Sequence, residues 1–89
     1  MNKLIKITRY GCMSCMIMEE KFDKLNDLKS KYENIEINTD EDLDEALKYH
    51  IGDKLPIYII MSGDKEIDRI VGEKNIDEIK RFLGDNIEK

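Results

Sequence analysis

The chain has 89 residues, of which 40% are hydrophobic and 39% are charged, so it can form one modest core and is too short for two domains. Its formal net charge of −5 argues against general binding to nucleic acids, because that affinity depends mainly on Lys and Arg side chains that neutralise phosphates. No apolar run approaches the roughly 20 residues of a membrane span, so we expect a single soluble domain over residues 1–89 that does not enter a membrane.

The first segment has lysines within its apolar run and lacks a cleavage-site pattern, which is typical of a strand and not of a signal peptide. We therefore predict a first strand over residues 4–8 and a cytoplasmic location. In a reducing compartment, two cysteines at motif spacing favour a catalytic or metal-binding pair over a purely structural disulfide.

The only two cysteines, Cys12 and Cys15, stand three residues apart where the first predicted strand gives way to a predicted helix. At the first turn of a helix, unsatisfied backbone N–H groups and the positive end of the dipole favour an anion, so Cys12 should ionise more readily than a free thiol. One turn later, Cys15 can close a disulfide on it. Residues 1–18 contain three basic and no acidic side chains, so either the surroundings of the cysteines are locally positive or these are ordinary solvated charges on a strand and its exit.

The segment after the cysteines has apolar residues every three or four positions, which predicts one helix over residues 12–31. These apolar residues are Cys15, Met18, Phe22, Leu25, Leu28 and Tyr32. Residues 34–38 alternate polar and apolar side chains and predict a second strand. A strand–helix–strand crossover of this kind makes the two strands parallel and places the helix on one face of the sheet.

The segment after the second strand predicts a short second helix. Thr39 and Asp40 supply capping side chains for it, and Gly52 marks its exit. The side chains expected to face inward are Leu43, Ala46 and Leu47.

The last third of the chain predicts two strands and a helix. Residues 57–61 form a continuous apolar run, as a buried central strand does, and a turn at residues 62–65 lets residues 66–71 return antiparallel. Asn75 is the expected cap of the last helix, with Glu78 at the capping-box position. Its apolar stripe comprises Ile76, Ile79, Phe82 or Leu83, and Ile87.

This β-α-β-α-β-β-α order, with Cys-x-x-Cys at the first strand-to-helix junction and a lone proline opening the third strand, resembles the thioredoxin-like superfamily over nearly the whole chain. Leu55-Pro56 before the apolar strand and Val71-Gly72 before the last helix carry the rest of the resemblance. It implies a minimal α/β thioredoxin-like fold, with a four-stranded mixed sheet flanked by three helices. It also implies a cis bond before Pro56, which faces the cysteine pair, with Gly72 near the same surface.

Some features depart from thioredoxins. The run Arg9-Tyr10-Gly11-Cys12 is instead similar to glutaredoxins, and the extra leading strand and helix of full thioredoxins are absent. Lys6 stands where many thioredoxins have a buried aspartate that assists deprotonation of the second cysteine, so the base for Cys15 stays open. Glutaredoxins usually have a Gly-Gly pair after the fourth strand, whereas Glu73 follows Gly72 here, so glutathione use also stays open.

The resemblance implies a thiol–disulfide oxidoreductase that reduces protein disulfides. In this mechanism Cys12 is the nucleophile and Cys15 the resolving thiol. The residues expected to surround the pair and contact substrate are Tyr10, Gly11, Met13, Ser14, Leu55, Pro56 and Gly72. We expect a monomer with no cofactor beyond the Cys12–Cys15 disulfide. Its expected partners are disulfide-containing proteins and a reductase, either of the thioredoxin-reductase type or glutathione.

Two other functions stay open. One is a glutathione-dependent glutaredoxin. The other is a carrier of Cu(I) or another soft metal, since Met13, Met16 and Met18 stand beside the cysteines and thiolate with thioether suits Cu(I). Heavy-metal-associated domains follow the first helix with a β-hairpin, which this chain does not. With His50 as the sole histidine and only two cysteines, we expect no four-ligand zinc site.

Overall fold

Four strands build one mixed sheet in the computed structural model, which describes residues 1–88. The elements in chain order are β1 Lys3–Thr8, α1 Met13–Asp23, α2 Asn26–Lys29, β2 Glu33–Asn38, α3 Leu43–Leu47, β3 Ile57–Ser62, β4 Lys65–Val71 and α4 Ile76–Asp85. The strand order is β2-β1-β3-β4, with β1 parallel to β2 and antiparallel to β3, and β3 antiparallel to β4. The predicted α/β fold class and mixed sheet are confirmed. None of the helices in residues 1–88 has both the length and the apolar character needed to span a bilayer.

The central strand β3 is buried on both faces of the sheet over residues 57–60. In β3, Tyr58 and Ile60 belong to one apolar cluster, and Ile57 and Ile59 belong to the cluster on the opposite face. A strand between two covered faces needs apolar side chains at every position, which explains the continuous apolar run in this part of the sequence.

The first apolar cluster lies between the sheet and helices α1 and α4. Phe22 of α1 stacks on Tyr58 of β3, with ring centroids 3.9 Å apart and ring planes inclined by 11°. Ile79, Phe82 and Leu83 of α4 are buried in the same cluster. This packing fixes α1, the helix that begins at the cysteine pair, against the central strand of the sheet.

The single first helix expected over residues 12–31 is wrong, because the chain leaves helical geometry at Leu25 and resumes as α2. Leu25 has φ −110° and ψ 34°, and its N–H donates to Phe22 O at 2.9 Å in a tighter turn. Leu25 and Leu28 still pack against the first apolar cluster, which is why the apolar period continues through the break. The described residues therefore form four helices instead of three.

The cap of α3 also differs from the expectation. Asp42 caps this helix by accepting a hydrogen bond from the N–H of Glu45 at 3.3 Å. Asp40 instead accepts the backbone N–H of Tyr10 at 2.9 Å, so it connects the loop before α3 to the loop before the cysteines.

Only one of the three α3 side chains expected to face inward does so. Ala46 is fully buried, whereas Leu43 and Leu47 are 51% and 53% exposed. The helix α3 has five residues, little more than one turn, and Ala46 is its one buried residue.

The cap of α4 is confirmed. Asn75 Oδ1 accepts the N–H of Glu78 at 2.9 Å. The Glu78 carboxylate accepts a hydrogen bond from Asn75 Nδ2 at 3.1 Å, so the two side chains also bind each other. Both Phe82 and Leu83, which the pattern left as alternatives, are buried.

Two buried tyrosines differ in whether the hydroxyl has a hydrogen-bond partner, which allows a matched test of what that bond contributes to stability. Tyr32 donates its hydroxyl to Leu83 O at 2.6 Å, whereas the Tyr58 hydroxyl has no hydrogen-bond partner within residues 1–88. An unsatisfied buried polar group destabilises the folded state. We expect Tyr58→Phe to preserve the free energy of unfolding or raise it by about 1 kcal/mol, and Tyr32→Phe to lower it by about 1 kcal/mol. Urea unfolding measures both, and a clear loss in Tyr58→Phe would contradict the assignment.

Candidate active site

The cysteine pair lies at one end of the sheet, where several loops meet. Residues 9–12 leave β1 at this end and enter α1. Because Ile7 pairs with Ile57 in the antiparallel β1–β3 ladder, Pro56 lies at the same end. Gly72 follows β4 here, and its N–H donates to Pro56 O at 2.8 Å.

Cys12 and Cys15 form a disulfide whose Cα atoms are 5.2 Å apart. Cys12 is the N-cap of α1, and its sulfur accepts the backbone N–H of Cys15 at 3.1 Å. Cys12 is 8% and Cys15 is 6% exposed, so burial alone does not rank the two. The hydrogen bond distinguishes the two sulfurs, because a helix N–H directed at Cys12 stabilises negative charge on that sulfur.

The loop before the pair is held by the segment that precedes α3. Gly11 has φ +67°, a conformation that side chains rarely adopt. Besides the hydrogen bond from Tyr10 N–H to Asp40, a side-chain hydrogen bond with Glu41 raises the pKa of Tyr10 above its usual value. The Tyr10 side chain is 64% exposed and stands at the rim of the cysteine site.

Hydrogen bonds hold the segment after β4 against α1. Ser14, which lies between the cysteines, donates its hydroxyl to Glu73 Oε1 at 3.0 Å. The N–H of Lys74 donates to Met18 Sδ at 3.3 Å, and Lys21 Nζ donates to Lys74 O at 2.8 Å. Three hydrogen bonds therefore set the position of this segment against the helix that bears the cysteines.

The proline loop has the conformation that the resemblance implies. The bond between Leu55 and Pro56 is cis, Pro56 is buried, and Leu55 is half-buried against the second apolar cluster. Gly72 has φ +78°, and a Cβ atom there would lie 3.0 Å from the Lys54 side chain. The positive φ favours glycine at this position, and a larger side chain would also require the Lys54 side chain to shift.

A cleft of about 230 Å³ opens beside the disulfide, and both cysteines line it. Its charged lining comprises Lys6, Arg9, Glu19 and Glu36. Lys6 Nζ lies 3.1 Å from Glu36 Oε1 and 3.4 Å from Glu19 Oε1. Of the two interpretations of these charges, the locally positive one is not met in this cleft, since carboxylates from α1 and β2 accompany the basic residues.

A second cavity of about 300 Å³ lies next to this cleft and shares Lys6, Glu19 and Glu36 with it. Tyr58 lines this second cavity. Nowhere in residues 1–88 do three His, Cys, Asp or Glu side chains come together in a way that could hold a metal ion.

The residues expected around the cysteine pair lie in several places near this end of the sheet. Tyr10 and Gly11 line the cysteine cleft, Ser14 contacts Glu73, and Leu55 adjoins the Pro56–Gly72 contact. Met13 is 69% exposed in the first turn of α1.

Three carboxylates at the site were not predicted from the sequence. They are Glu19, Glu36 and Glu73. Glu36 pairs with Lys6 in the parallel β1–β2 register, so aligning the two predicted strands would have indicated that contact. The contact between Glu73 and Ser14 spans 59 positions and leaves no local pattern.

No family model and no curated relative matches the chain. Solved structures do match. A thioredoxin from Fasciola hepatica has a TM-score of 0.80 at 19% identity, covering 94% of this chain and 79% of that one. A thioredoxin from Trypanosoma brucei brucei has a TM-score of 0.83 at 19% identity, covering 100% of this chain and 77% of that one. A Malassezia sympodialis thioredoxin has a TM-score of 0.83 at 18% identity, covering 97% of this chain and 75% of that one.

Proposed function

Because this chain has the thioredoxin-like fold with a Cys-x-x-Cys disulfide at the start of α1, we propose that it is a thiol–disulfide oxidoreductase that reduces protein disulfides. The observation that carries the proposal is the hydrogen bond from the Cys15 N–H to the Cys12 sulfur. Thiolate is the reactive species in disulfide exchange, and this N–H favours thiolate at Cys12.

The proposed reaction begins when a reductase delivers two electrons and two protons to the Cys12–Cys15 disulfide. Cys12 then loses its proton, and its thiolate attacks one sulfur of the substrate disulfide. A mixed disulfide forms, and the other substrate sulfur leaves as a thiolate that takes up a proton. Cys15 next loses its proton and attacks the Cys12 sulfur, which breaks the mixed disulfide and releases the second substrate thiolate, and this thiolate also takes up a proton. The chain ends oxidised and the substrate has gained two electrons and two protons.

The substrate is proposed to dock on the surface around the disulfide. Exposed apolar side chains flank the pair, since Tyr10, Met13 and Met16 are 64%, 69% and 61% exposed. The backbone of Leu55, before the cis bond to Pro56, offers N–H and C=O groups to an extended segment, as in strand addition. In this proposal the chain acts as a monomer in the cytoplasm and needs no cofactor beyond its own disulfide, and cell fractionation tests the location.

The experiment that tests this function is reduction of insulin disulfides by the full chain, previously reduced with dithiothreitol and freed of excess reagent. We expect insulin to precipitate as its chains separate and the Cys12–Cys15 disulfide to re-form in equal amount. No insulin reduction by a chain whose two thiols are free would overturn the proposal.

Two further arms of the experiment separate the alternatives. Recycling by NADPH with a thioredoxin-reductase-type flavoenzyme, and not by glutathione with its reductase, supports a thioredoxin-like reductase. The opposite result supports a glutaredoxin. Stoichiometric retention of Cu(I) against a competing chelator, without insulin reduction, supports the metal carrier, for which Met16 beside both cysteines is the favouring observation.

A further inference from the structure

Glu73 places a carboxylate on the helical turn that carries the two cysteines. Its Oε1 accepts the hydroxyl of Ser14 at 3.0 Å, and Ser14 is the second residue of α1 after the N-cap Cys12. The first turn of α1 contains no acidic side chain of its own. The negative charge at this turn therefore comes from a residue 59 positions further along the chain.

The backbone on both sides of Glu73 is also held in place. The N–H of Gly72 donates to Pro56 O at 2.8 Å, and the N–H of Lys74 donates to Met18 Sδ at 3.3 Å. These bonds hold the residues on both sides of Glu73. The carboxylate is thus directed at the start of α1 by flanking contacts in addition to its own hydrogen bond.

The charge of Glu73 is not balanced by an ion pair. Across residues 1–88, no basic side chain forms an ion pair with Glu73. In the cleft on the β1 side of the disulfide, by contrast, Lys6 and Arg9 are accompanied by Glu19 and Glu36. Glu73 therefore adds a carboxylate with no ion-pair partner among residues 1–88 at the residue between the two cysteines. The basic groups on the neighbouring elements are Lys21, whose ammonium binds the carbonyl of Lys74, and Lys54, whose side chain lies against Gly72.

We propose that Glu73 opposes formation of the Cys12 thiolate and so lowers the reduction potential of the Cys12–Cys15 pair. A nearby negative charge disfavours a second one, against the helix N–H groups that favour it. A dithiol pair whose reduced form is stabilised is a strong oxidant, so a pair whose thiolate is destabilised donates electrons more readily. Glu73 is then a positioning residue that acts through Ser14 and through its charge. This inference rests on the proposed function and specifies its direction, towards reduction of substrates.

The main test is Glu73→Gln, which removes the charge and keeps an oxygen that can accept the Ser14 hydroxyl. We expect the pKa of Cys12 to fall by about half a unit, the size of effect typical for a charge near a helix end. We expect the equilibrium constant against a glutathione redox buffer to shift by up to about threefold towards the reduced chain. The pH dependence of iodoacetamide alkylation gives the pKa, and separation of alkylated species gives the redox equilibrium.

Ser14→Ala distinguishes two roles of the serine hydroxyl. If Ser14 holds Glu73 in place, its loss frees the carboxylate and the pKa of Cys12 falls, and adding Glu73→Gln changes it little further. If the hydroxyl instead donates to the Cys12 thiolate, its loss raises the pKa of Cys12, and this result would overturn the part of the inference in which Glu73 acts through Ser14.

Glu33→Gln is the control, because it makes the same change in net charge at the start of β2, the opposite end of the sheet. No shift in Glu73→Gln, or an equal shift in Glu33→Gln, would also overturn the inference. Failure of the proposed function would be a separate result, because the wild-type chain would then not reduce insulin. Insulin reduction by wild type with an unchanged Glu73→Gln variant rejects only the role of Glu73.

Discussion

Replacing Cys12 by serine is expected to abolish insulin reduction, whereas Cys15→Ser is expected to leave a stable mixed disulfide between Cys12 and the substrate. The Cys12 sulfur accepts a helix N–H and is therefore the better-stabilised thiolate of the two. Without Cys15, no thiol remains to break the mixed disulfide. Non-reducing electrophoresis and mass spectrometry of the adduct measure the trapping.

The variant that lacks both cysteines is the control for these two, and it should form no adduct. Each single variant should keep the wild-type far-ultraviolet circular dichroism, so that loss of activity is not loss of fold. An adduct through Cys15 in the Cys12→Ser variant would show that the two roles are reversed.

Replacing Phe22 by alanine is expected to lower the free energy of unfolding by about 3–4 kcal/mol, as measured by urea unfolding of the oxidised chain. The side chain is 1% exposed and stacks on Tyr58, so its removal leaves a cavity between α1 and the central strand β3. The loss is a large share of the total stability of about 5–15 kcal/mol that is typical of a folded protein.

Met16→Ala is the matched control, because Met16 lies on the same helix and is 61% exposed. Its expected effect on the free energy of unfolding is within about 0.5 kcal/mol. Equal small effects in Phe22→Ala and Met16→Ala would mean that the stacked ring pair contributes little to the docking of α1.

Features of the fold that depend on local pattern were predictable from the sequence. The apolar run of β3 indicated a strand buried on both faces, and Asn75 was identified as the cap of α4 from its position before the apolar stripe. Both follow from the periodicity of side chains along a single element.

Features that depend on how elements meet were not predictable in this way. The break at Leu25 preserves the apolar period, since both helical segments cover one face of the sheet, so the pattern contains no sign of it. Four neighbouring residues, Thr39 to Asp42, include three with capping side chains, and only the tertiary structure assigns Asp40 to Tyr10 and Asp42 to α3.

In the candidate site, too, features marked by local sequence were predictable and features that depend on how elements meet were not. The Cys-x-x-Cys motif and the cis bond before Pro56 were available from the resemblance, because both are marked by residue type and spacing. The carboxylates near the disulfide come from α1, β2 and the segment after β4, so their approach depends on strand register and helix docking. Counting charges along the chain therefore left the local charge open.

The loops around the disulfide are joined to one another through the Gly72–Pro56 and Ser14–Glu73 hydrogen bonds. Under the proposed function, an arriving protein meets a surface whose backbone is already ordered, and binding sacrifices little conformational entropy in this chain. A small contact area is then sufficient for a productive encounter. Weak, short-lived complexes of this kind suit an electron donor that must leave one protein quickly and serve the next.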